Sequence, residues 1–206
     1  MIGIVAALYD RIMCGVEEAG LTEWRRQLLG DLSGTVLEIG AGTGRNVNLL
    51  PSTVERLLLC EPDRHMRARL RHVAAGRPAT EILDAGAEHL PLPDASVDVV
   101  LSTLVLCSVD DPRASLGEIV RVLRPGGTFV FIEHVAATDR PGRLAWQQRI
   151  EPLWRRVAGN CHLARDTEST IAASGLMVKT IDRASMRKAP AFVRPTIRGT
   201  ATKPAA

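Results

Sequence analysis

Short apolar runs recur along the chain, most of them followed by a turn or by residues at helical spacing. The first is Thr35-Val36-Leu37-Glu38-Ile39, which ends in glycines. Such a run suits a strand covered on both faces, as in a parallel sheet. Leu57 to Cys60 repeats the pattern ahead of a helical stretch from Asp63 to Val73. Glu81 to Leu83 is a weaker third strand. Val97 to Leu101 is a fourth, entered from the turn Pro93-Asp94-Ala95-Ser96. Arg113 to Leu123 predicts a helix stopped by Pro125-Gly126-Gly127, and Thr128 to Ile132 predicts a fifth strand. Strand alternating with helix predicts an α/β fold, with a parallel sheet, helices on both faces and right-handed crossovers.

The two ends read differently. Residues 8 to 29 carry Leu8, Ile12, Val16, Leu21 and Leu28 near helical spacing, with Gly15 and Gly20 as weak points. After the fifth strand, Trp146, Ile150, Leu153, Trp154 and Val157 mark a helix over 143–158, which Pro152 should kink or divide. A short helix over 166–173 precedes Gly175. Two closing strands follow, over 176–183 and, more weakly, 192–202, and the tail from Thr202 should fray. No repeat or linker divides the 206 residues, so one domain is expected, with residues 1–30 as a helical lid and 136–175 as a helical insertion over a pocket.

Composition narrows the field. A net charge of +3 is too weak to argue for nucleic acid, where a clustered basic stripe is expected. Aromatics at 3% offer no stacking platform for unpaired bases. The apolar start, Met1 to Leu8, is far shorter than the ~20 residues a membrane span needs, which leaves at most a peripheral contact. Arg64, Arg67, Arg69 and Arg71 with His65 and His72 read as a solvated helix face or a lipid contact. Cys14, Cys60, Cys107 and Cys161 form no C-x-x-C pair, and Cys161-His162 has no second ligand pair at metal spacing. No metal is therefore expected. A reducing, cytoplasmic setting fits free thiols.

The most informative stretch is Glu38-Ile39-Gly40-Ala41-Gly42-Thr43-Gly44, placed where a strand should end and a helix open. Glycines there let the backbone turn sharply and approach a ligand, and helix amides favour anionic groups. A dinucleotide fingerprint would put its third glycine at position 45, which is Arg45. The second strand ends in Cys60-Glu61-Pro62. Glu61 lies 21 residues after Gly40, where a carboxylate can accept both ribose hydroxyls of a nucleoside. An acid at a helix start is the plainer alternative.

The stretches Val36 to Gly44, Leu58 to Asp63, Gly86 to Asp98 and Leu123-Arg124-Pro125-Gly126-Gly127 resemble the successive motifs of class I S-adenosylmethionine (SAM) methyltransferases. The resemblance covers residues 30 to 135. It implies a Rossmann-like fold, a seven-stranded, mostly parallel sheet with an antiparallel last strand, and SAM as cofactor. It places cofactor contacts at Glu38, Gly40, Ala41, Gly42, Gly44, Asn46, Glu61, Pro62 and Met66, then Gly86, Ala87 and Glu88, then Ser102, Thr103 and Leu104. Many such enzymes carry an acid where this chain has Gly86; adenine would then meet backbone at Ala87 and the Glu88 side chain.

A narrower resemblance, to the animal methyltransferase-like thiol methyltransferases, rests on Thr103 to Val109, Glu133-His134-Val135 and Trp146-Gln147-Gln148. Glu151-Pro152-x-Trp154, Cys161-x-Leu163-x-Arg165-x-Thr167 and Val193-Arg194-Pro195-x-Ile197-x-Gly199 extend it. Those relatives carry an N-terminal membrane anchor, which this chain is not expected to have. The resemblance implies a small, apolar acceptor, with thiol sulfur favoured. A quinone-precursor or phospholipid-headgroup methyltransferase is the alternative, and a SAM-binding regulatory module without turnover is another. No nucleic-acid partner is expected, and monomer and dimer stay open.

In open α/β sheets, ligands sit outside the carboxyl ends of the strands. Catalysis is therefore expected after the fourth and fifth strands. His134 would be the base for a thiol and Glu133 its orienting partner, or else the pair would fix a loop by hydrogen bonds. Cys107, Trp146, Trp154 and Arg165 are expected at the acceptor pocket. Asp98 reads either as a tie for the loop after Ala95 or as a neighbour of the cofactor.

Overall fold

The computed structural model describes residues 13–205. A π-helical turn, Glu17–Leu21, kinked at Gly20 (φ 138°), leads into α1 (Thr22–Leu29). The strands are β1 (Gly34–Ile39), β2 (Val54–Cys60), β3 (Thr80–Leu83), β4 (Val97–Thr103), β5 (Leu123–His134), β6 (Met177–Ser185) and β7 (Pro195–Thr202). The remaining helices are α2 (Arg64–Ala74), α3 (Pro112–Val122), α4 (Pro141–Val157) and α5 (Thr167–Ala172). The sheet has seven strands in the order β3-β2-β1-β4-β5-β7-β6, and β7 runs antiparallel to both its neighbours. This is the Rossmann-like architecture the motifs implied. Among the described residues, no helix is long and apolar enough to cross a membrane.

The apolar runs bury both faces of the central strands. Leu37 and Ile39 of β1 pack with Val100, Phe129 and Phe131 under Leu116, Ile119 and Val122 of α3. Val36 points the other way, toward Val99, Leu101 and Val130, beneath Leu29 of α1 and Leu70 of α2. Period-two alternation puts Glu38 on this second face, beneath the N-terminal helix. The strand order reverses between β1 and its neighbours β2 and β4, so the carboxyl ends of β1 and β4 flank the switch point where open α/β sheets take ligands. Asp63 and Asp111 cap α2 and α3 through two backbone amides each, which fixes where each helix leaves its loop.

Several expectations need correction. No α-helix opens at the glycine bend; turns and a short 3-10 segment, Val47–Leu49, follow it. Pro152 does not divide the helix after β5, since α4 runs unbroken from Pro141 to Val157. The chain end is tied at Lys203, whose amide and carbonyl exchange hydrogen bonds with Gly127 and Gly126 (2.9 and 3.0 Å) while Nζ donates to the Leu123 carbonyl (2.7 Å). The expected helix at residues 8–12 lies outside the described residues. Asp98 sits at the start of β4, where it accepts from the Thr35 amide (2.8 Å) and pairs with Arg124 (2.5 Å), so it braces the sheet far from the switch point.

Candidate active site

Gly40, Gly42 and Gly44 all adopt positive φ (55°, 58° and 89°), which L side chains rarely tolerate. A Cβ on Gly40 would also stand 2.6 Å from Val105 Cγ2, so the turn after β4 rests directly on the bend. Glu61, at the tip of β2, is buried and accepts from the amides of Gly42 and Asp63 (2.8 Å each). Burial pushes its carboxyl up, against the pull of those two amides. Pro62 is exposed beside it and Met66 is buried under it.

Glu38 lies on the other flank of the bend. It is buried, its Oε1 accepts from Asn46 Nδ2 (2.8 Å), and its Oε2 has no partner. Desolvation raises this carboxyl from 4.5 to about 7, opposed by the Asn46 bond and the Arg25 charge. Asn46 is shared. It also donates to Thr103 Oγ1 (3.2 Å) and accepts from Arg25 (2.7 Å), which pairs with buried Glu17 (3.0 Å). The N-terminal helix thus reaches the bend through Arg25, a residue the sequence reading did not single out.

Arg67 corrects the solvated-face reading of α2. It is buried and binds the Glu61 carbonyl (2.7 Å) and Asp84 (2.5 Å), bracing the ends of β2 and β3. On the far side of Glu61, Gly86, Ala87 and Glu88 form the loop after β3. Ala87 is buried, and Glu88 accepts from the Asp110 amide (2.8 Å).

At the end of β4, Ser102 is buried, and Leu104 holds a left-handed backbone (φ 59°) as its amide donates to the Ile132 carbonyl (2.8 Å). Strain of this kind in a non-glycine residue costs on the order of 1–3 kcal/mol and persists only where its surroundings enforce it. Glu133 is the enforcer. Its Oε1 accepts from Ser102 Oγ (2.5 Å) and the Val105 amide (3.2 Å), and burial raises it to about 7 against those donors.

His134 does not touch Glu133 in this arrangement. Its ring faces Phe192 O (Nε2, 3.4 Å) and Cys161 Sγ (Nδ1, 4.0 Å). Cys107, His134 and Cys161 therefore converge, all buried, with their ligand-type atoms within 4.8 Å of one another. The neighbouring Cys107 thiol holds the Cys161 thiol down, while that contact and burial push Cys107 up.

Leu163, Ile150, Trp154 and Phe192 close around the thiols. Trp146 and Trp154 both meet the Phe192 ring edge-on (5.3 and 5.1 Å). Arg165 reaches the turn after β4. Its guanidinium is spent on the carbonyls of Leu106 and Val109 (2.7 and 2.8 Å), clamping the turn that carries Cys107. Phe192 was not singled out in the sequence because it read as the start of a closing strand, whereas it lies in the loop between β6 and β7.

The donor set fits SAM. A glycine bend half-buried at Gly40 and Gly42, a carboxylate at the tip of β2 held only by amides, and a buried carboxylate with a spare oxygen suit a ribose diol and a methionyl ammonium. A surface cleft borders the outer side of the bend, over Thr22, Asn48, Leu49 and Val73, and neither Glu61 nor His134 lines it.

Comparison with known proteins supports SAM as the cofactor. Residues 37–131 match the methyltransferase domain family. Human thiol S-methyltransferase TMT1A is 34% identical over 176 residues, 82% of this chain and 70% of its own length. Rat thiol S-methyltransferase TMT1B is 39% identical over 140 residues, 65% of this chain but only 56% of its own length. The chain thus spans little more than half of that relative. The YcgJ protein of Bacillus subtilis superposes with a TM-score of 0.71 at 16% identity, covering 92% of this chain and 100% of its own. A glycine bend between two buried carboxylates, on this sheet order and with these relatives, places the chain in the class I SAM-dependent methyltransferase family, whose cofactor is SAM.

Proposed function

We propose that this protein transfers the methyl group of SAM to a small apolar acceptor, with thiol sulfur preferred. The observation that carries this reading is a juxtaposition. Val105 rests on the cofactor bend, and two residues further along the same turn Cys107 packs into an apolar cluster of Leu163, Ile150, Trp154 and Phe192. Apolar walls with few polar groups select small apolar ligands. The human and rat relatives are named thiol S-methyltransferases, which supports sulfur as the acceptor atom.

Methyl transfer is an in-line displacement. The bond from sulfonium sulfur to methyl breaks as the acceptor-to-methyl bond forms, and a thiol must first lose its proton. SAM supplies the electrophilic methyl; the protein holds and orients. Glu61 and the bend amides bind the cofactor. Glu133 fixes the Leu104–Cys107 turn and so sets the distance between cofactor and acceptor. His134 acts on the acceptor, and Trp154 and Phe192 shield it from water.

Labelled methyl transfer to a panel of alkyl thiols, quinol precursors and phosphatidylethanolamine, scored by product mass, tests the reading. Thioether formation with alkyl thiols is expected. Transfer only to quinol oxygen or carbon, or to the headgroup amine, would replace it, and transfer to none of them would refute it.

A further inference from the structure

Three side chains at the acceptor end belong to no assigned role as a set. Cys107 comes from the turn after β4, His134 is the last residue of β5, and Cys161 follows α4. Three separate elements bring two thiols and an imidazole into one buried cluster, at 3%, 1% and 8% exposure. Little of their surface meets solvent, and sulfur is a weak hydrogen-bond partner for the imidazole.

We propose that Cys107, His134 and Cys161 form a three-ligand Zn²⁺ site whose fourth position takes the sulfur of the acceptor. This rests on the thiol reading above and deepens it. Two thiolates and one imidazole are soft-to-borderline ligands that suit Zn²⁺ and do not suit Mg²⁺ or Ca²⁺. A tetrahedral site with Zn–S near ~2.3 Å and Zn–N near ~2.0 Å sets its ligand atoms roughly 3.5–3.8 Å apart. The Nδ1 to Cys161 Sγ separation is 4.0 Å, and all three atoms lie within 4.8 Å, so only a small contraction is needed.

The second nitrogen of His134 supports the assignment. Nε2 faces the Phe192 carbonyl at 3.4 Å, and that carbonyl is held in place by Gln147 Nε2 at 2.9 Å. A metal-bound histidine characteristically donates its other N–H to a carbonyl, which fixes the tautomer. Here that leaves the Nδ1 lone pair aimed at the thiols.

Three protein ligands and an open fourth position are the pattern of a reactive rather than a structural zinc site. An alkane thiol that ligates there gives its proton to solvent and its sulfur to the metal. The acceptor is then held as a thiolate without a free general base, and His134 acts through the metal. The apolar wall of Leu163, Ile150, Trp154 and Phe192 would receive its alkyl chain.

The test uses the full chain, purified without a metal-affinity tag and with reductant present. Zinc content by mass spectrometry should approach one per chain. It should fall well below half in Cys107→Ser, Cys161→Ser and His134→Asn, with circular dichroism and S-adenosylhomocysteine affinity retained. Should the serine variants not fold, wild-type protein carries the test alone. Co²⁺ exchanged into it should give a thiolate charge-transfer band, and adding an alkane thiol, but not the matching alcohol, should change that band.

Substoichiometric zinc with no cobalt–thiolate band would overturn the site, as would a Cys107–Cys161 disulfide in its place. Zinc that remains in all three variants would show binding elsewhere and overturn it equally. A cobalt band indifferent to thiols would remove the acceptor from the fourth position. Metal content is read without turnover, so failure of the site and failure of thiol transfer are separable.

Discussion

Glu38→Gln should change how stability depends on pH. The Glu38 carboxyl is buried and raised from 4.5 to about 7 by desolvation, with Asn46 and Arg25 opposing. That difference amounts to roughly 3 kcal/mol against the ionised form. The folded protein therefore binds the proton more tightly than the unfolded chain. The associated stability is fully present below about pH 4.5 and is lost as pH rises through about 7.

Between pH 5.5 and 8.5 the linkage relation gives a loss of about 2 kcal/mol from this residue alone. Glutamine keeps the acceptor for Asn46 and cannot ionise. Urea unfolding of both proteins at the two pH values isolates the effect, because Glu133 and every other titrating group are common to both. The stability difference should move by about 2 kcal/mol in favour of Glu38→Gln as pH rises. A difference that stays constant across that range would refute the desolvated-carboxylate account.

Three other outcomes follow from the same contacts. Arg25→Met strands buried Glu17 and the Asn46 carbonyl, and should cost roughly 3–5 kcal/mol in urea unfolding; a loss under 1 kcal/mol would mean the pair is hydrated. Gly199→Ala puts a Cβ 2.0 Å from the Thr180 carbonyl oxygen, a backbone atom that cannot yield. It should destabilise by at least about 2 kcal/mol, and an unchanged melting temperature would deny the close β6–β7 approach. His134→Ala should lower methylation of alkyl thiols while S-adenosylhomocysteine affinity by calorimetry stays within about twofold; a parallel loss of both would place His134 in the cofactor site instead.

The fold was legible because both faces of the central strands are covered. Val36-Leu37 and Val99-Val100-Leu101 needed no partner information to read as buried strands. The cofactor bend was legible for a related reason, since only glycine holds three left-handed positions in five residues. The helix expected after it failed because turns carry the chain from the bend to Val47–Leu49, with Asn46 committed to Glu38, Thr103 and Arg25.

Pairings across long stretches of chain left no local trace. Arg25 meets Asn46 across 21 positions, and His134 meets Cys161 across 27. Ligand spacing rules look for pairs within one turn or loop, so a cluster assembled from three elements escapes them. Lys203 escaped likewise, because its partners are the backbone of the Gly126-Gly127 turn.

Calorimetric titration of S-adenosylhomocysteine into the wild-type protein and Glu61→Gln bears most directly on the cofactor crevice. Hydrogen bonds to a charged group contribute about 1.5–3 kcal/mol each. Wild type should bind one equivalent, and the variant should bind at least tenfold more weakly while its circular dichroism spectrum shows it still folded. Equal affinities in the two proteins would contradict the placement of the nucleoside against the tip of β2.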